Sequence, residues 1–351
     1  MTERMNPLPL GVCTRYGLSG ASSRLRYFQY RDALEQGGFA PWFHPFFPDS
    51  YLTRLYAGKG KSRFLAAAAL LRRLSLVPFL PKRLLIEYEL LPELPAGIES
   101  RLLRKKRYVL NFDDDVWIKY RGRPALEGKY DRLTAGAAGV ICANDLLLER
   151  VEKLNPNTIK IPTTIDLDAY PDGGEKFSRF TVAWIGTPVT YRYLELHAET
   201  LRHMAQNVDF ELLVIAKKSL ESRAVPGVPM RFEEWSEENE ADLLSRCHVG
   251  IMPLPANNAF AAGKSAFKLI QYLAAGLPAI ASPVGENLRV LRPEQTGFFA
   301  STPEEWTEAL LRLREDSVRN RMSAEARRLA FDFSTRKYGP IYADFLKRTL
   351  A

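Results

Sequence analysis

Residues 262–287 have the sequence AGKSAFKLIQYLAAGLPAIASPVGEN, in which a helix pattern passes directly into a strand pattern. Phe267, Ile270 and Leu273 recur at the spacing of one helix face. Gly276 is a typical residue to end such a helix, and the apolar run after it has the length of a buried strand. The segment predicts a helix over 264–275 and a strand over 278–282, the repeating pair of a parallel α/β sheet.

Two lysines lie on this predicted helix. Lys264 falls in the first turn, where the helix dipole disfavours a positive charge. Lys268 is four residues further on and shares its face, and Gln271 is near the same stripe. A lysine at a helix start is explained if an anion lies between it and the backbone N–H groups, so we predict an anionic ligand here.

The same alternation extends over most of the 351 residues. The predicted strands cover residues 8–14, 83–88, 108–112, 139–143, 180–185, 210–216, 249–252 and 278–282. The predicted helices cover residues 23–36, 98–105, 126–135, 145–154, 191–206, 237–247, 264–275, 303–315, 318–331 and 334–350. The alternation predicts an α/β fold with doubly wound, mostly parallel sheets.

A segment rich in Pro, Gly and Asp interrupts this pattern at residues 161–178. The chain is too long for one ordinary core and long enough for two. We predict an N-terminal Rossmann-like domain over 1–165, a linker over 166–178 and a C-terminal Rossmann-like domain over 179–333.

The first loop at the carboxyl end of a predicted strand is RYGLSGASSR, residues 15–24. Ligands of such sheets bind at these ends. Gly20 and Ser23 open a predicted helix, whose N–H groups would face an anion and whose first turn a serine would cap. Arg24 and Arg26 favour a phosphate there. The loop has neither the G-x-G-x-x-G spacing nor the P-loop lysine, so an ordinary glycine-containing turn is the alternative.

Three adjacent carboxylates follow the strand predicted at 108–112, within NFDDDVW at residues 111–117. Neighbouring charges raise some of their pKa values, which suits a general base or a group that holds sugar hydroxyls. The alternative is a helix N-cap in a solvated turn. Their place at a strand end favours function, with Asp113 and Asp115 as candidates; no ligand set for a metal accompanies them.

The net charge of +8 is unevenly distributed. Residues 1–165 carry 26 Lys/Arg and 16 Asp/Glu, whereas residues 166–351 carry 23 and 25. The excess of Lys and Arg in the first half predicts an anionic partner, such as lipid headgroups or a phosphorylated acceptor. The alternative is that these surface charges only promote solubility. The apolar segment 64–71, flanked by arginines, suits either a membrane surface or a core-facing helix. No recognition-helix motif is present, so nucleic acid is not an expected partner.

The cysteines, histidines and apolar runs argue against several classes of protein. Cys13, Cys142 and Cys247 have no paired spacing, which argues against a disulfide framework and a cysteine metal site. The histidines show no metal-ligand motif. No run approaches the ~18 apolar residues of a membrane span, and the first residues lack the apolar region of a signal peptide. We therefore expect a cytoplasmic protein.

Several motifs together resemble one enzyme family. LAAGLPAIAS at 273–282 resembles the A-x-A-x-G-x-P-V-V-A-S motif in the donor-binding region of the retaining family 4, or group 1, glycosyltransferases. DLLSRCHVGIMP at 242–253 is similar to the preceding helix and strand, and AWIGT at 183–187 to the first strand of their C-terminal domain. SRLR at 23–26 and FDDDVW at 112–117 resemble the N-terminal half of a bacterial subgroup.

The resemblance implies the GT-B fold, with two Rossmann-like domains across a cleft and the last helix, 334–351, returning to the N-terminal domain. It implies sugar transfer from a nucleotide-sugar donor to a glycan or lipid-diphosphate-linked acceptor in surface polysaccharide synthesis, with retention and without cofactor or obligate metal. It also implies a peripheral site at the inner face of the plasma membrane. The candidate catalytic residues are Asp113, Asp115 and Lys264. The candidate donor-binding residues are Gly20, Ser23, Arg24, Gly186, Thr187, Arg192, Lys217, Lys264, Lys268, Gln271, Gly285 and Asn287.

One departure from the family matters. The two glutamates of its E-x7-E motif correspond to Gly263 and Gln271 in this chain. A glutamine still exchanges hydrogen bonds with a ribose, and Lys264 and Lys268 would grip the diphosphate. The alternatives are a catalytically inert GT-B module that binds a nucleotide sugar or a partner enzyme, and a sugar epimerase of the same fold.

Overall fold

The computed structural model describes residues 6–56, 59–171, 173–256 and 265–351. These residues form two compact units, one reaching to Thr164 and including Thr335–Ala351, the other comprising Ile165–Ser334. Gly263 and Lys264 lie outside the described residues.

Each unit is built on a six-stranded sheet whose strand pairs are all parallel. In the first unit the strands are β1 (Leu8–Cys13), β2 (Phe39–Phe43), β3 (Arg83–Glu87), β4 (Arg107–Phe112), β5 (Gly139–Cys142) and β6 (Thr158–Lys160), in the order β2-β1-β3-β4-β5-β6. In the second they are β7 (Thr181–Ile185), β8 (Glu211–Ala216), β9 (Met230–Glu234), β10 (Val249–Met252), β11 (Ala279–Ala281) and β12 (Gly297–Phe299), in the order β12-β11-β10-β7-β8-β9. The doubly wound α/β prediction is confirmed.

Helices connect the strands. Those of the first unit are α1 (Ala21–Arg26), α2 (Arg31–Gln36), α3 (Asp49–Tyr56), α4 (Arg63–Leu76), α5 (Ala96–Leu103), α6 (Lys129–Gly136) and α7 (Asp145–Val151). Those of the second are α8 (Pro188–Leu196), α9 (Ala198–Asn207), α10 (Glu240–Ser245), α11 (Phe267–Ala274), α12 (Asn287–Val290), α13 (Pro303–Arg314) and α14 (Asp316–Ala330). Helix α15 (Thr335–Leu350) completes the first unit. None of the helices in the described ranges is long and apolar enough to cross a bilayer.

Both faces of each sheet are covered, because alternate residues of the central strands enter opposite cores. In β3, Leu84 and Ile86 join one apolar cluster and Leu85 joins the other. All three are fully buried. The continuous apolar runs that predicted the central strands are those of a sheet buried on both sides.

Helix α15 is fixed to the first sheet by a buried tyrosine. The Tyr342 hydroxyl accepts a hydrogen bond from Asn111 Nδ2 (3.2 Å) and donates one to the Arg26 carbonyl oxygen (3.1 Å). Its ring stacks on Tyr30, with the centroids 4.3 Å apart. The helix therefore joins β4 to the end of α1.

Several predictions differ from the structure, and the helix predicted over 191–206 is divided at His197 into α8 and α9. The helix predicted over 23–36 is divided at Tyr27 into α1 and α2, which are joined by a short 3-10 turn. The segment predicted as a linker packs on the second unit, where Lys176 Nζ donates to the carbonyl oxygens of Ser245 and Cys247. The two alternatives for residues 64–71 both describe part of α4, because Leu65, Ala69 and Leu70 pack on the first unit whereas Phe64 and Leu71 are exposed.

Replacing Tyr342 by Phe removes the hydroxyl but keeps the stacked ring. We expect the free energy of unfolding to fall by about 1–3 kcal/mol, because a buried amide and a buried carbonyl lose their partner. Urea denaturation measures this. The control is Tyr338→Phe, whose hydroxyl has no hydrogen bond within the described ranges. Equal stability of the two variants would contradict the role assigned to the Tyr342 hydroxyl.

Candidate functional site

Polar side chains gather at the carboxyl edge of the first sheet, beyond β1, β3 and β4. We call Ser22, Ser23, Glu87, Tyr88 and Asp113 the Glu87 cluster. Ser22 and Ser23 belong to α1, Glu87 ends β3 and is followed by Tyr88, and Asp113 follows β4. Parallel strands place their carboxyl ends along one edge, and this brings residues distant in sequence together.

Glu87 is the centre of this cluster. Its carboxylate accepts hydrogen bonds from Ser22 Oγ (2.9 Å), Ser23 Oγ (2.6 Å) and the backbone N–H of Arg15 (2.7 Å). Burial, with a smaller contribution from the nearby charge of Asp113, raises the pKa of Glu87 to about 7. The carboxyl therefore changes its protonation near neutral pH, as a proton-exchanging group requires.

Tyr88 connects Glu87 to the aspartate segment. Its hydroxyl donates a hydrogen bond to Asp113 Oδ1 and lies 3.4 Å from Ser22 Oγ. Its backbone has φ 59°, a left-handed conformation that is costly for an aromatic residue. Strain of this kind is concentrated at functional sites, where the surrounding structure enforces it.

The structure separates the aspartates that the sequence places side by side. Asp113 joins the Glu87 cluster through Tyr88. Asp115 instead lies 3.6 Å from Arg150 Nη1, and the Arg150 guanidinium stacks over Trp117 at 4.4 Å. Asp113 is therefore the better placed of the two candidate catalytic residues.

The predicted roles of the first loop also change. The Ser23 hydroxyl does not cap a helix, because it is bonded to Glu87; the cap position is Gly20. Arg26 is buried and donates to Asn111 Oδ1 and to the carbonyl oxygens of residues 161 and 162, so it is unavailable to phosphate. Arg24 donates to the carbonyl oxygen of Leu18.

Sequence reasoning missed Glu87 and Arg15. Arg15 Nε is buried and makes no hydrogen bond within the described residues. The available signal was position: each charged residue directly follows or ends an apolar strand, as Asp113 does. Arg15, which has the unsatisfied donor, is thus neither of the two arginines, Arg24 and Arg26, that the loop sequence favoured as phosphate ligands.

In the second unit, the donor candidates Gly186 and Thr187 follow β7 at the carboxyl edge. Thr187 caps α8 in a capping box with Thr190. A Cβ at Gly186 would lie 2.5 Å from the Trp184 ring, so only glycine fits between β7 and this helix. The backbone of Gly186 therefore lies close to the indole of Trp184.

Helix α11 carries the next donor candidates. It begins at Phe267, after Ala266 in a left-handed conformation (φ 51°), so Lys268 rather than Lys264 occupies its first described turn. Lys268 Nζ lies 5.4 Å from the centre of the Trp184 ring. Gln271 is 5% exposed. The prediction that a lysine lies at the helix start was made for Lys264, which is outside the described residues, so it stays a prediction.

The loop after β11 completes this edge. Gly285 has φ 55°, and Asn287 donates from Nδ2 to the Ser282 carbonyl oxygen at 3.0 Å. Asn287 Oδ1 is buried and accepts no hydrogen bond within the described ranges. Two further donor-binding candidates are basic residues. Lys217 is paired with Glu234, with Nζ 2.7 Å from Oε1, and Arg192 is exposed on α8. No group of three His, Cys, Asp or Glu side chains in the described part of the chain is arranged for a metal ion.

The comparisons with known proteins agree with this arrangement. Residues 179–316 match the family model described as "Glycosyl transferases group 1". The chain has the GT-B fold, and the family match lies in its second unit. No curated protein matches it by sequence.

Solved structures show the GT-B fold over nearly the whole chain. Sucrose-phosphate synthase from Thermosynechococcus elongatus is 14% identical, covers 97% of this chain and 98% of its own, and has a TM-score of 0.64. HepE from Anabaena, solved with UDP and glucose, is 13% identical, covers 97% and 100%, and has a TM-score of 0.65. A glycosyltransferase from Rickettsia africae is 11% identical, covers 99% of both chains, and has a TM-score of 0.66.

The raised pKa of Glu87 predicts a pH-dependent stability. The folded carboxyl keeps its proton to about pH 7, whereas its ordinary pKa is 4.5. The resulting stabilisation is complete below the ordinary value and is lost as the pH rises through about 7. We expect the free energy of unfolding to fall over this range by up to roughly 3 kcal/mol.

Denaturant unfolding across this pH range tests the assignment. Glu87→Gln should lack this part of the decrease, whereas the exposed control Glu152→Gln should retain it. A wild-type decrease that persists unchanged in Glu87→Gln would show that another group causes it.

Proposed function

We propose that this chain is a glycosyltransferase that transfers a sugar from a nucleotide diphosphate donor to a hydroxyl group of a glycan or lipid-diphosphate-linked acceptor. The second domain binds the donor and the first binds the acceptor, in the synthesis of a bacterial surface polysaccharide. The observation that carries the proposal is the group 1 match over residues 179–316, which contains the edge formed by Gly186, Gln271 and Asn287. HepE, which shares the fold, was solved with UDP and glucose.

The donor is held by hydrogen bonds and by positive charge. Gln271, where the family has a glutamate, offers an amide that both donates to and accepts from ribose hydroxyls. The diphosphate is placed at the start of α11, near Lys268 and the backbone of the loop at Gly285. Negative charge builds on the diphosphate as the glycosidic bond breaks, so fixed positive groups there accelerate the reaction.

The acceptor hydroxyl is oriented by the Glu87 cluster. Asp113 accepts a hydrogen bond from that hydroxyl, and Tyr88 and Glu87 hold the aspartate in position. As the bond from the sugar to the diphosphate breaks, the acceptor oxygen bonds to the same carbon from the same face, and its proton passes to the departing phosphate oxygen. The configuration is retained, and neither a metal nor a cofactor takes part.

A phosphate-bearing acceptor accounts for features of the first domain. Arg15 Nε is a buried donor without a partner in the described residues, close to the Glu87 cluster. An acceptor carried on a lipid diphosphate would supply that anion. It would also place this basic domain at the cytoplasmic face of the plasma membrane, beside anionic headgroups.

Binding of nucleotide sugars is the first test. Calorimetric titration with UDP-, GDP-, dTDP- and ADP-sugars should show selective binding, and Gln271→Ala should weaken it about tenfold or more, since hydrogen bonds to the ribose are lost. Gln271→Glu, which restores the family residue, should keep binding, and the exposed control Gln295→Ala should match the wild type.

Failure of the folded protein to bind any of these donors would contradict the donor site. A protein that binds a donor but transfers no sugar to any acceptor preparation would be the inert module. Conversion of the donor sugar without an acceptor would identify an epimerase.

Substitution of Asp113 tests the acceptor site. Asp113→Asn should lower kcat/KM for the acceptor roughly a hundredfold because the hydroxyl is misplaced. Its donor affinity should stay unchanged. Asp115→Asn, which removes a carboxylate beside Arg150, is the matched control and should alter transfer only slightly. The measurement is transfer of labelled sugar to membranes that contain acceptor; equal losses in both variants would contradict the distinction.

A further inference from the structure

Helix α4 and the turn that follows it expose an apolar face. Phe64 is 81% exposed, Leu71 is 67% exposed and Phe79, in the short turn after the helix, is 75% exposed. Ala67 and Ala68 lie between the first two at helical spacing and are exposed as well. We call this surface the α4 face. Large apolar side chains exposed side by side are characteristic of an interaction site.

Positive charge surrounds the α4 face. Between Asp49 and Glu87 the sequence contains no acidic residue. The exposed basic residues of this region are Arg54, Lys59, Lys61, Arg63, Arg72 and Lys82. None of the six pairs with a carboxylate in the described part of the chain, although Arg54 and Arg72 donate to backbone carbonyl oxygens. Their charges are therefore not neutralised by a neighbouring acid.

We propose that the α4 face docks on a membrane surface rich in anionic lipids. Phe64, Leu71 and Phe79 insert below the headgroups, and the surrounding lysines and arginines bind the lipid phosphates. Apolar insertion or electrostatic attraction alone gives weak, reversible binding, whereas the two together anchor a protein. A second copy of the chain does not fit this face, because two such surfaces would bring like charges together.

The opposite side of α4 is fixed to the candidate acceptor site. The buried guanidinium of Arg73 donates to the carbonyl oxygens of His44 (2.6 Å) and Thr14 (3.3 Å). Thr14 directly precedes Arg15, whose N–H is bonded to Glu87. Leu65 and Leu70 pack into the aromatic cluster of Phe46, Phe47 and Tyr51. A membrane on the α4 face would therefore lie near the loop that carries the Glu87 cluster.

This inference deepens the proposed function and rests on it in one respect. The lipid-linked acceptor would explain why the protein docks on a membrane. A lipid diphosphate in the docked membrane would present its headgroup next to Arg15 and Asp113. Docking itself depends on the α4 face alone, so it is measurable without donor or acceptor.

Vesicle flotation tests the docking. The full chain is mixed with phosphatidylcholine vesicles, or with vesicles in which a third of the lipid is phosphatidylglycerol. We expect binding to the anionic vesicles and little to the neutral ones. The variant Phe64→Ser/Leu71→Ser/Phe79→Ser and the variant Lys61→Glu/Arg63→Glu/Lys82→Glu should each bind about tenfold or more weakly.

The matched control is Ile98→Ser/Leu196→Ser/Leu311→Ser, which removes exposed apolar side chains elsewhere and should bind as the wild type does. Circular dichroism and urea unfolding of every variant show whether it is folded, and donor titration separates docking from the donor site. Docking on this face is overturned if the wild type ignores anionic vesicles or if the first variant binds them normally. Equal binding to neutral and anionic vesicles overturns the role of the basic residues.

Discussion

A carboxyl buried at the end of β3 imposes the local structure of the first domain. A carboxyl group removed from water needs hydrogen-bond partners, and Glu87 obtains three donors from the segment after β1. That requirement draws Ser22 and Ser23 away from the capping role their sequence suggests. It also fixes the loop so that Arg15 lies beside the strand ends. The same loop is bonded to α4 through Thr14, so the carboxyl, the arginine and the basic helix form one connected unit.

The second domain uses close packing where the first uses hydrogen bonds. A Cβ at Gly250 would lie 2.5 Å from the Tyr272 ring, so the glycine of β10 lets α11 approach the sheet. The Tyr272 hydroxyl then donates to the Ile251 carbonyl oxygen at 3.0 Å. Gln271 is next to this tyrosine in the sequence and is positioned by the same contact. The sequence resemblance places one of the family's glutamates at this position, where this chain has an uncharged glutamine.

Sequence patterns predicted the centre of both sheets but not their edges. All eight predicted strands are interior ones, whereas β2, β6, β9 and β12, which were not predicted, are the four edge strands. Interior strands are buried on both faces and have continuous apolar runs, while edge strands are shorter and partly solvated. β2 even contains Pro41, which an edge tolerates because one row of its backbone groups is unpaired. The donor segment was predictable because helix period, glycine and strand occur together in one stretch.

Charges show most clearly why the rest of the site could not be predicted. Counting lysines and arginines treats all of them as available to a ligand, but Arg26 and Arg73 are buried and satisfy backbone carbonyl groups of the fold. Exposure and pairing are tertiary properties, so only the structure separates these from Arg15 and from the basic residues around α4. The stretch from Asp49 to Glu87 is set apart from the other exposed cations of this half, because it contains no acidic residue between those two and carries an exposed apolar helix face. An anionic partner that also has an apolar phase is therefore matched by this region in both charge and apolar surface.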